Sequence, residues 1–124
     1  MKRILVIDDA MTVRMYYRQL LEAQGFVVEE AGNGYEGLEK ALADSFDLYI
    51  VDVNMPKMDG YTLLRAIRQE LSICATPAIM ISTEGQTKDA DAAYAAGANL
   101  YFQKPVRPET LILNVRLLTG EIAP

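Results

Sequence analysis

Short apolar runs of strand length recur along the chain, and each is rich in β-branched or aromatic residues. They predict strands at residues 3–7, 26–30, 47–51, 77–82 and 99–102. Between them, apolar positions recur at the 3.6-residue spacing of amphipathic helices, which predicts five helices. Each crossover between parallel strands needs a connection of helix length. Strict alternation therefore predicts an α/β fold, a parallel five-stranded sheet with helices on both faces.

Each predicted helix is defined by its apolar positions and by the residues that can end it. The markers are Val13 to Gln24 followed by Gly25; Leu38, Ala41 and Leu42; Asp59 as N-cap with Leu64, Ile67 and Leu71; about residues 86–96 before Gly97; and Pro108, Leu111, Val115 and Leu118 before Gly120. Strands one, three and four are the most continuously apolar, so we expect them at the centre of the sheet.

Composition limits the function further. The chain has 124 residues, 51% of them hydrophobic, which suits one compact domain. A net charge of -5 with scattered Lys and Arg gives no basic stripe, so we expect no direct nucleic-acid binding. A strand begins almost at once and no apolar run approaches about 18 residues, so we expect a cytoplasmic protein without membrane insertion. The single Cys74 and the lack of His exclude an internal disulfide and a thiol–imidazole catalyst.

Polar side chains stand where the predicted strands end. They are Asp8 and Asp9, Asp52, Ser82 and Thr83, and Lys104 before Pro105. Parallel strands bring these ends to one edge, where ligands of open α/β sheets bind. Three carboxylates would repel one another unless a cation offsets them, and Mg²⁺ favours such oxygen ligands. Asp52 stands alone at its strand end, so it is the candidate nucleophile for an aspartyl phosphate, with Lys104 holding the phosphoryl oxygens.

Four motifs, in this order and spacing, resemble the receiver domain of two-component response regulators. They are "IDDAM" (7–11), "VDVNMPKMDG" (51–60), "ISTEG" (81–85) and "QKPV" (103–106). The likeness covers the whole chain and is greatest to single-domain, CheY-like chemotaxis regulators. It implies a flavodoxin-like (βα)5 three-layer sandwich with strand order 2-1-3-4-5. It also implies one receiver domain over residues 1–124 with no output domain.

The resemblance implies a role for each matching residue. Asp52 would accept a phosphoryl group from a sensor histidine kinase. Asp9, Asp52 and the backbone carbonyl of Asn54 would bind Mg²⁺, with Mn²⁺ as a possible substitute, and Asp8 would act through water. Ser82 and Lys104 would contact the phosphoryl group, and Tyr101 would be the aromatic switch. Asn54 and Glu84 would tune hydrolysis, and the Lys104–Pro105 peptide bond would be cis.

The resemblance further implies a signalling phosphoacceptor rather than an enzyme acting on a separate substrate. The chain would be a monomer whose fourth helix, fifth strand and fifth helix form the output face. The expected partner is a flagellar switch protein. Positions that match the motor-binding pattern nevertheless differ from it here, being Ala10, Gln86, Thr87, Ala90 and Asn114. A phosphorelay shuttle or a phosphate sink with a histidine phosphotransfer protein is therefore the alternative.

Several other interpretations stay open. Asp8 and Asp9 could form a solvated turn or a helix cap, Ser82 could simply end a strand, and Tyr101 could only pack. "GNGYEG" at 32–37 fits a dinucleotide-binding motif, although two glutamates precede it. An aspartate-nucleophile phosphatase would use similar groups but needs a lid. Arg14 and Arg18 are expected on a solvated helix face, with Arg18 and Glu22 at ion-pair spacing.

Overall fold

The computed structural model describes residues 1–121, in which five β-strands alternate with five α-helices. Residues 122–124 of the predicted domain lie outside the described part. In chain order the elements are β1 (Arg3–Ile7), α1 (Met11–Glu22), β2 (Val27–Ala31), α2 (Gly34–Ala43), β3 (Leu48–Asp52), α3 (Gly60–Gln69), β4 (Ala78–Ser82), α4 (Thr87–Ala96), β5 (Leu100–Gln103) and α5 (Pro108–Thr119).

All neighbouring strands are parallel, and their order is β2-β1-β3-β4-β5. The predicted fold class and the central position of strands one, three and four are therefore confirmed. Every residue of β3 and β4 is buried, whereas β5 at the edge is half-buried. Asp52 pairs with Ile81, and Ser82 pairs with Gln103. The register therefore places Asp52, Ser82 and the residues after Gln103 at the same edge of the sheet.

Side chains that alternate along each strand fill two cores, one on each face of the sheet. Leu5 and Val51 pack on the face covered by α2, α3 and α4. Ile4 and Ile50 pack on the opposite face, against Leu111 of α5 and its neighbours from α1. Because both faces of the sheet are covered, the strands read as nearly continuous apolar runs. The result is a three-layer sandwich in which the sheet lies between two layers of helices.

Two helices end before the positions that the sequence predicted. α1 ends at Glu22 and α3 at Gln69, so Gln24 and Leu71 follow their helices, and Leu71 is 94% exposed. Leu42 is in α2 but is 46% exposed. In α3 the chain turns extended at Glu70, and Ile73 from the following turn is buried in the core. The prediction that the apolar repeat of α3 extends to Leu71 was therefore wrong, because the helix ends at Gln69 and the chain turns there.

The caps agree better with the prediction. The Asp59 carboxylate accepts a hydrogen bond from the Thr62 backbone N–H at 2.8 Å, so the predicted N-cap of α3 is confirmed. Gly97 and Gly120 follow α4 and α5 with positive φ angles of 112° and 78°, as expected for helix-ending glycines. No helix within residues 1–121 is long and apolar enough to cross a membrane.

Candidate functional site

Three carboxylates meet at the C-terminal edge of the sheet. Asp8 and Asp9 follow β1, Asp52 ends β3, and one oxygen from each lies within 4.8 Å of the others. Asp8 and Asp52 are only 2% and 4% exposed, whereas Asp9 is open to solvent. The two adjacent aspartates are therefore unequal, because Asp8 is buried and Asp9 is exposed to solvent.

The buried Asp8 is part of a turn as well as part of the cluster. Its N–H extends the β1–β2 ladder by donating to the Ala31 carbonyl at 3.1 Å. Its Oδ1 accepts a hydrogen bond from the Ala10 N–H at 2.9 Å, which is a side-chain turn of the kind Asp favours. A turn is thus present at Asp8, but the Asp8 carboxylate is buried rather than solvated, and its second oxygen contacts Lys104.

Lys104 supplies the positive charge at this edge. Its Nζ lies 3.1 Å from Oδ1 of Asp52 and 3.3 Å from Oδ2 of Asp8. Its backbone N–H donates to the Ser82 carbonyl at 2.7 Å, which fixes the chain leaving β5 beside β4. The Lys104–Pro105 peptide bond is cis. The lysine side chain therefore bridges two carboxylates that are 44 positions apart in the sequence.

Burial and neighbouring charge shift both ionisable partners. Burial raises the pKa of Asp52, the Asp8 carboxylate raises it further, and Lys104 only partly reverses the effect. Burial by itself lowers the pKa of Lys104, but the adjacent Asp52 and Asp8 raise it more, so its pKa lies above the ordinary value. The lysine is held protonated, while burial and the Asp8 carboxylate make ionisation of Asp52 less favourable than that of a free carboxyl, which raises its pKa.

The cluster suits a divalent cation. Three carboxylates face one ammonium group, so two negative charges remain unbalanced within the cluster. Oδ1 of Asp52 is buried, and no aligned hydrogen-bond donor satisfies it. Carboxylate oxygens of this kind are the ligands that Mg²⁺ prefers, and Mg²⁺ keeps several of its waters when bound. The exposure of Asp9 leaves room for those waters.

Ser82 belongs to a chain of hydrogen bonds that leads away from the acidic cluster. Its fully buried hydroxyl donates to Asn54 Oδ1 at 2.9 Å and accepts from the Glu84 N–H at 3.1 Å. The Tyr101 hydroxyl in turn donates to the Glu84 carbonyl. Ser82 thus does more than end a strand, and Tyr101 has a specific polar partner besides its packing against the core.

The "GNGYEG" segment forms a helix start without a phosphate cradle. Glu36 accepts from the Gly32 N–H at 2.9 Å, and Asn33 accepts from the Glu36 N–H at 2.8 Å. A Cβ at Gly37 would lie 2.9 Å from Ile7 Cδ1, so this glycine lets α2 approach the sheet. The chain's own side chains therefore occupy the helix N-terminus, and an acidic one faces any anion there.

One residue of the site region was misjudged from the sequence. Arg14 does not lie on a solvated face, because its Nη1 donates to the Asp8 carbonyl at 2.7 Å and its Nε contacts Glu30 at 3.0 Å. The predicted pair of Arg18 and Glu22 is present at 3.2 Å. Spacing within one helix revealed the second pair but could not reveal the first, which joins α1 to the end of β1.

A groove of about 330 Å³ opens beside Lys104, between α1 and the segment after β5. Its lining is Thr12, Val13, Tyr16, Tyr17, Lys104, Pro105 and Val106. Lys104 is the single charged residue among them, so the groove is chemically distinct from the acidic cluster although the two share this side chain.

A family model for the response regulator receiver domain matches residues 4–116, and this range contains every residue of the site. The chain belongs to the response regulator receiver domain family. It is 35% identical over 116 residues to the transcriptional regulatory protein ResD of Bacillus subtilis and 30% identical over 115 residues to SrrA of Staphylococcus aureus. These matches cover 94% and 93% of the chain but 47% and 46% of the relatives, so the chain spans about half their length.

Solved structures agree with the fold. The chemotaxis protein CheY4 of Vibrio cholerae superposes with a TM-score of 0.90 at 35% identity, covering 95% of this chain and 98% of that one. A CheY-like receiver domain protein from Methanospirillum hungatei gives a TM-score of 0.90 at 30% identity, covering 98% and 95%. The flavodoxin-like strand order and the CheY-like resemblance are thus confirmed. Receiver domains are phosphoacceptors of two-component signalling that interact with sensor histidine kinases and bind Mg²⁺ at an acidic pocket.

Proposed function

We propose that Asp52 is the phosphoacceptor of this receiver domain and that its donor is a phosphohistidine of a sensor kinase. A carboxylate oxygen of Asp52 forms the new bond to phosphorus while the phosphorus–nitrogen bond breaks, and the imidazole nitrogen departs with the electron pair. The observation that carries this assignment is the contact of Lys104 with Asp52 inside a cluster of three carboxylates.

Asp9, Asp52 and the backbone carbonyl of Asn54 would hold Mg²⁺, with Mn²⁺ as a substitute, and Asp8 would hold one of its waters. The bound cation offsets the negative charge of the phosphoryl oxygens as they approach the carboxylates. Asp8 suits the indirect role because Lys104 and the Ala10 N–H already occupy its two oxygens. Asp9 suits the direct role because its carboxylate is exposed.

Lys104 and Ser82 would respond to the new charge on Asp52. A phosphoryl group carries roughly two negative charges, about one more than the carboxylate that it replaces, and three acceptor oxygens, which attract an ammonium group and a hydroxyl. For Ser82, this means exchanging its hydrogen bond to Asn54 for one to a phosphoryl oxygen. Ser82 also accepts from Glu84, whose carbonyl holds Tyr101, so movement of the hydroxyl would release the tyrosine. The switch would thus pass from β4 to β5.

The test is phosphorylation by acetyl phosphate, with and without Mg²⁺, followed by intact-protein mass spectrometry. We expect one added phosphoryl group that requires Mg²⁺ in the wild type and is absent in Asp52→Asn. Asp91→Asn, an exposed carboxylate on α4, is the matched control and should behave like the wild type. A phosphorylated species in Asp52→Asn, or none in the wild type with Mg²⁺, would contradict the assignment.

Asn54 and Glu84 are proposed to tune hydrolysis of the aspartyl phosphate. Both lie in the hydrogen-bonded chain beside Asp52, Asn54 through its side chain and Glu84 through its backbone. The residue types match chemotaxis-type members, so we expect a short-lived phosphoryl group. Persistence of the labelled protein for many hours in Mg²⁺ after removal of the donor would contradict this prediction.

The output is proposed to be protein binding on the face of α4, β5 and α5, in chemotaxis or flagellar motor control. The structural match with the chemotaxis protein CheY4, which covers 95% of this chain at 35% identity, supports this class. Several residues on this face differ from the motor-binding pattern at the corresponding positions. This difference supports the alternative, a relay shuttle or phosphate sink with a histidine phosphotransfer protein. Transfer of labelled phosphoryl from Asp52 to such a partner would favour the relay, and phosphorylation-dependent binding to a flagellar switch protein would favour motor control.

A further inference from the structure

We propose that Arg14, paired with Glu30, is a positioning residue that aims the Asp8–Asp9 loop for cation binding. This inference rests on the proposed Mg²⁺ site. The guanidinium of Arg14 lies between two elements, with Nε at 3.0 Å from Glu30 Oε1 on β2 and Nη1 at 2.7 Å from the Asp8 carbonyl. The Arg14 and Glu30 side chains are only 16% and 20% exposed. The contact is therefore part of the folded interior rather than a surface pair.

The guanidinium geometry makes this contact directional. Its N–H donors lie in one plane at fixed angles. Because Glu30 holds the Nε donor, the direction of the Nη1 donor is restrained as well. That donor fixes the carbonyl of Asp8. The Asp8 carbonyl and the Asp9 N–H belong to the same planar peptide, so holding one orients the other and the Cα of Asp9 with it.

Asp9 depends on this backbone orientation more than its neighbours do. Across residues 1–121 its carboxylate has no hydrogen-bond or ion-pair partner, whereas Asp8 is held by Lys104 and by the Ala10 N–H. Within the described residues, therefore, only the backbone restrains the region that the Asp9 carboxylate can reach. A ligand on a segment that can rotate loses affinity because the ordering cost is taken from the binding free energy.

Arg18 provides a matched control one helical turn away. It also pairs with Glu30, at 2.5 Å, and with Glu22, and it donates to the Val28 carbonyl. Within the described chain it forms no hydrogen bond or ion pair with Asp8 or Asp9. Replacing either arginine removes one ion pair to the same glutamate, but only Arg14→Gln frees the Asp8 carbonyl.

The experiment is calorimetric titration of the full chain with Mg²⁺, together with the NMR amide signal of Asp9. We expect Arg14→Gln to raise the Mg²⁺ dissociation constant by about tenfold, as for other residues that orient metal ligands, and to shift the Asp9 amide signal before Mg²⁺ is added. The Mg²⁺ dissociation constant of Arg18→Gln should stay within about twofold of the wild-type value. Arg18 forms partly exposed ion pairs and does not bond to the Asp8–Asp9 loop.

Urea unfolding in EDTA separates positioning from general stability. If both variants lose similar stability while only Arg14→Gln loses Mg²⁺ affinity, Arg14 acts on the loop. If the wild type binds Mg²⁺ and the two variants bind it with equal affinity, the proposed role of Arg14 is overturned while the proposed Mg²⁺ site stands. No Mg²⁺ binding by the wild type would contradict the proposed site itself. Should Arg14→Gln not fold, Arg14→Lys keeps the charge for Glu30 but lacks the planar fork, and the same ranking against Arg18→Gln is expected.

Discussion

Replacing Asp52 should stabilise the protein in the absence of divalent cations. At an effective dielectric constant of about 20, each carboxylate within 4.8 Å repels Asp52 by about 3 kcal/mol, and Lys104 at 3.1 Å attracts it by about 5 kcal/mol. The exposure of Asp9 reduces its share, while burial of Asp52 adds a desolvation cost. We therefore expect Asp52→Asn to raise the free energy of unfolding by about 1–3 kcal/mol at pH 7.

The pH dependence has a defined sign. Because the pKa of Asp52 is raised in the folded state, the folded protein binds this proton more tightly than the unfolded chain does. The contribution of Asp52 to stability is therefore favourable below the ordinary carboxyl pKa of about 4 and is lost as the pH rises through the raised value. The advantage of Asp52→Asn should accordingly vanish at low pH and grow toward neutral pH.

The assay is urea unfolding followed by circular dichroism, in EDTA and in Mg²⁺, from low to neutral pH. Mg²⁺ should stabilise the wild type by mass action and narrow its difference from Asp52→Asn, which lacks one ligand oxygen. Asp91→Asn on the exposed face of α4 controls for the loss of one negative charge. If Asp52→Asn in EDTA at pH 7 proves no more stable than the wild type, the electrostatic reasoning is refuted.

Two further predictions concern the ion pairs of Lys104 and the packing of Gly37. Lys104→Met should lower the free energy of unfolding in EDTA by about 2 kcal/mol or more, because it leaves buried carboxylates without a cation, and added Mg²⁺ should restore part of it in the same urea titration. Gly37→Ala should lower the free energy of unfolding by about 1–3 kcal/mol, because its Cβ would lie 2.9 Å from Ile7. Gly32→Ala is the control, since its Cβ would have ordinary contact distances and should lower the free energy of unfolding less. Equal unfolding midpoints for the two glycine variants would contradict this packing argument.

The site was recognisable because it lies at strand ends, whose positions depend on local patterns. Apolar runs of four to six residues located every strand to within about one residue, and parallel pairing brings their C-terminal ends together whatever the details of packing. Asp8, Asp9, Asp52 and Lys104 could therefore be grouped before any distance was known. The boundaries of α1 and α3 were less certain, since a helix ends where tertiary turns require it and not only where its apolar repeat stops.

The hydrogen-bond partners could not be predicted in the same way. The contact of Ser82 with Asn54 spans 28 positions, and that of Arg14 with the Asp8 carbonyl joins a helix to the end of a strand. Each depends on side-chain rotamers and on the exact approach of two elements, which no local pattern encodes. The resemblance marked Ser82 as a contact of the phosphoryl group but did not reveal its Asn54 partner, and Arg14 was expected only on a solvated helix face.

The amino-acid sequence by itself determined the alternation of strands and helices, the central position of β1, β3 and β4, and the edge at which the carboxylates collect, because these follow from periodicity and from the geometry of parallel crossovers. The tertiary structure alone decided that Asp8 is buried and Asp9 exposed, that Lys104 bridges two carboxylates, and that Arg14 donates to the Asp8 carbonyl. Those features arise where distant segments pack against each other, so they exist only once the whole sheet has formed.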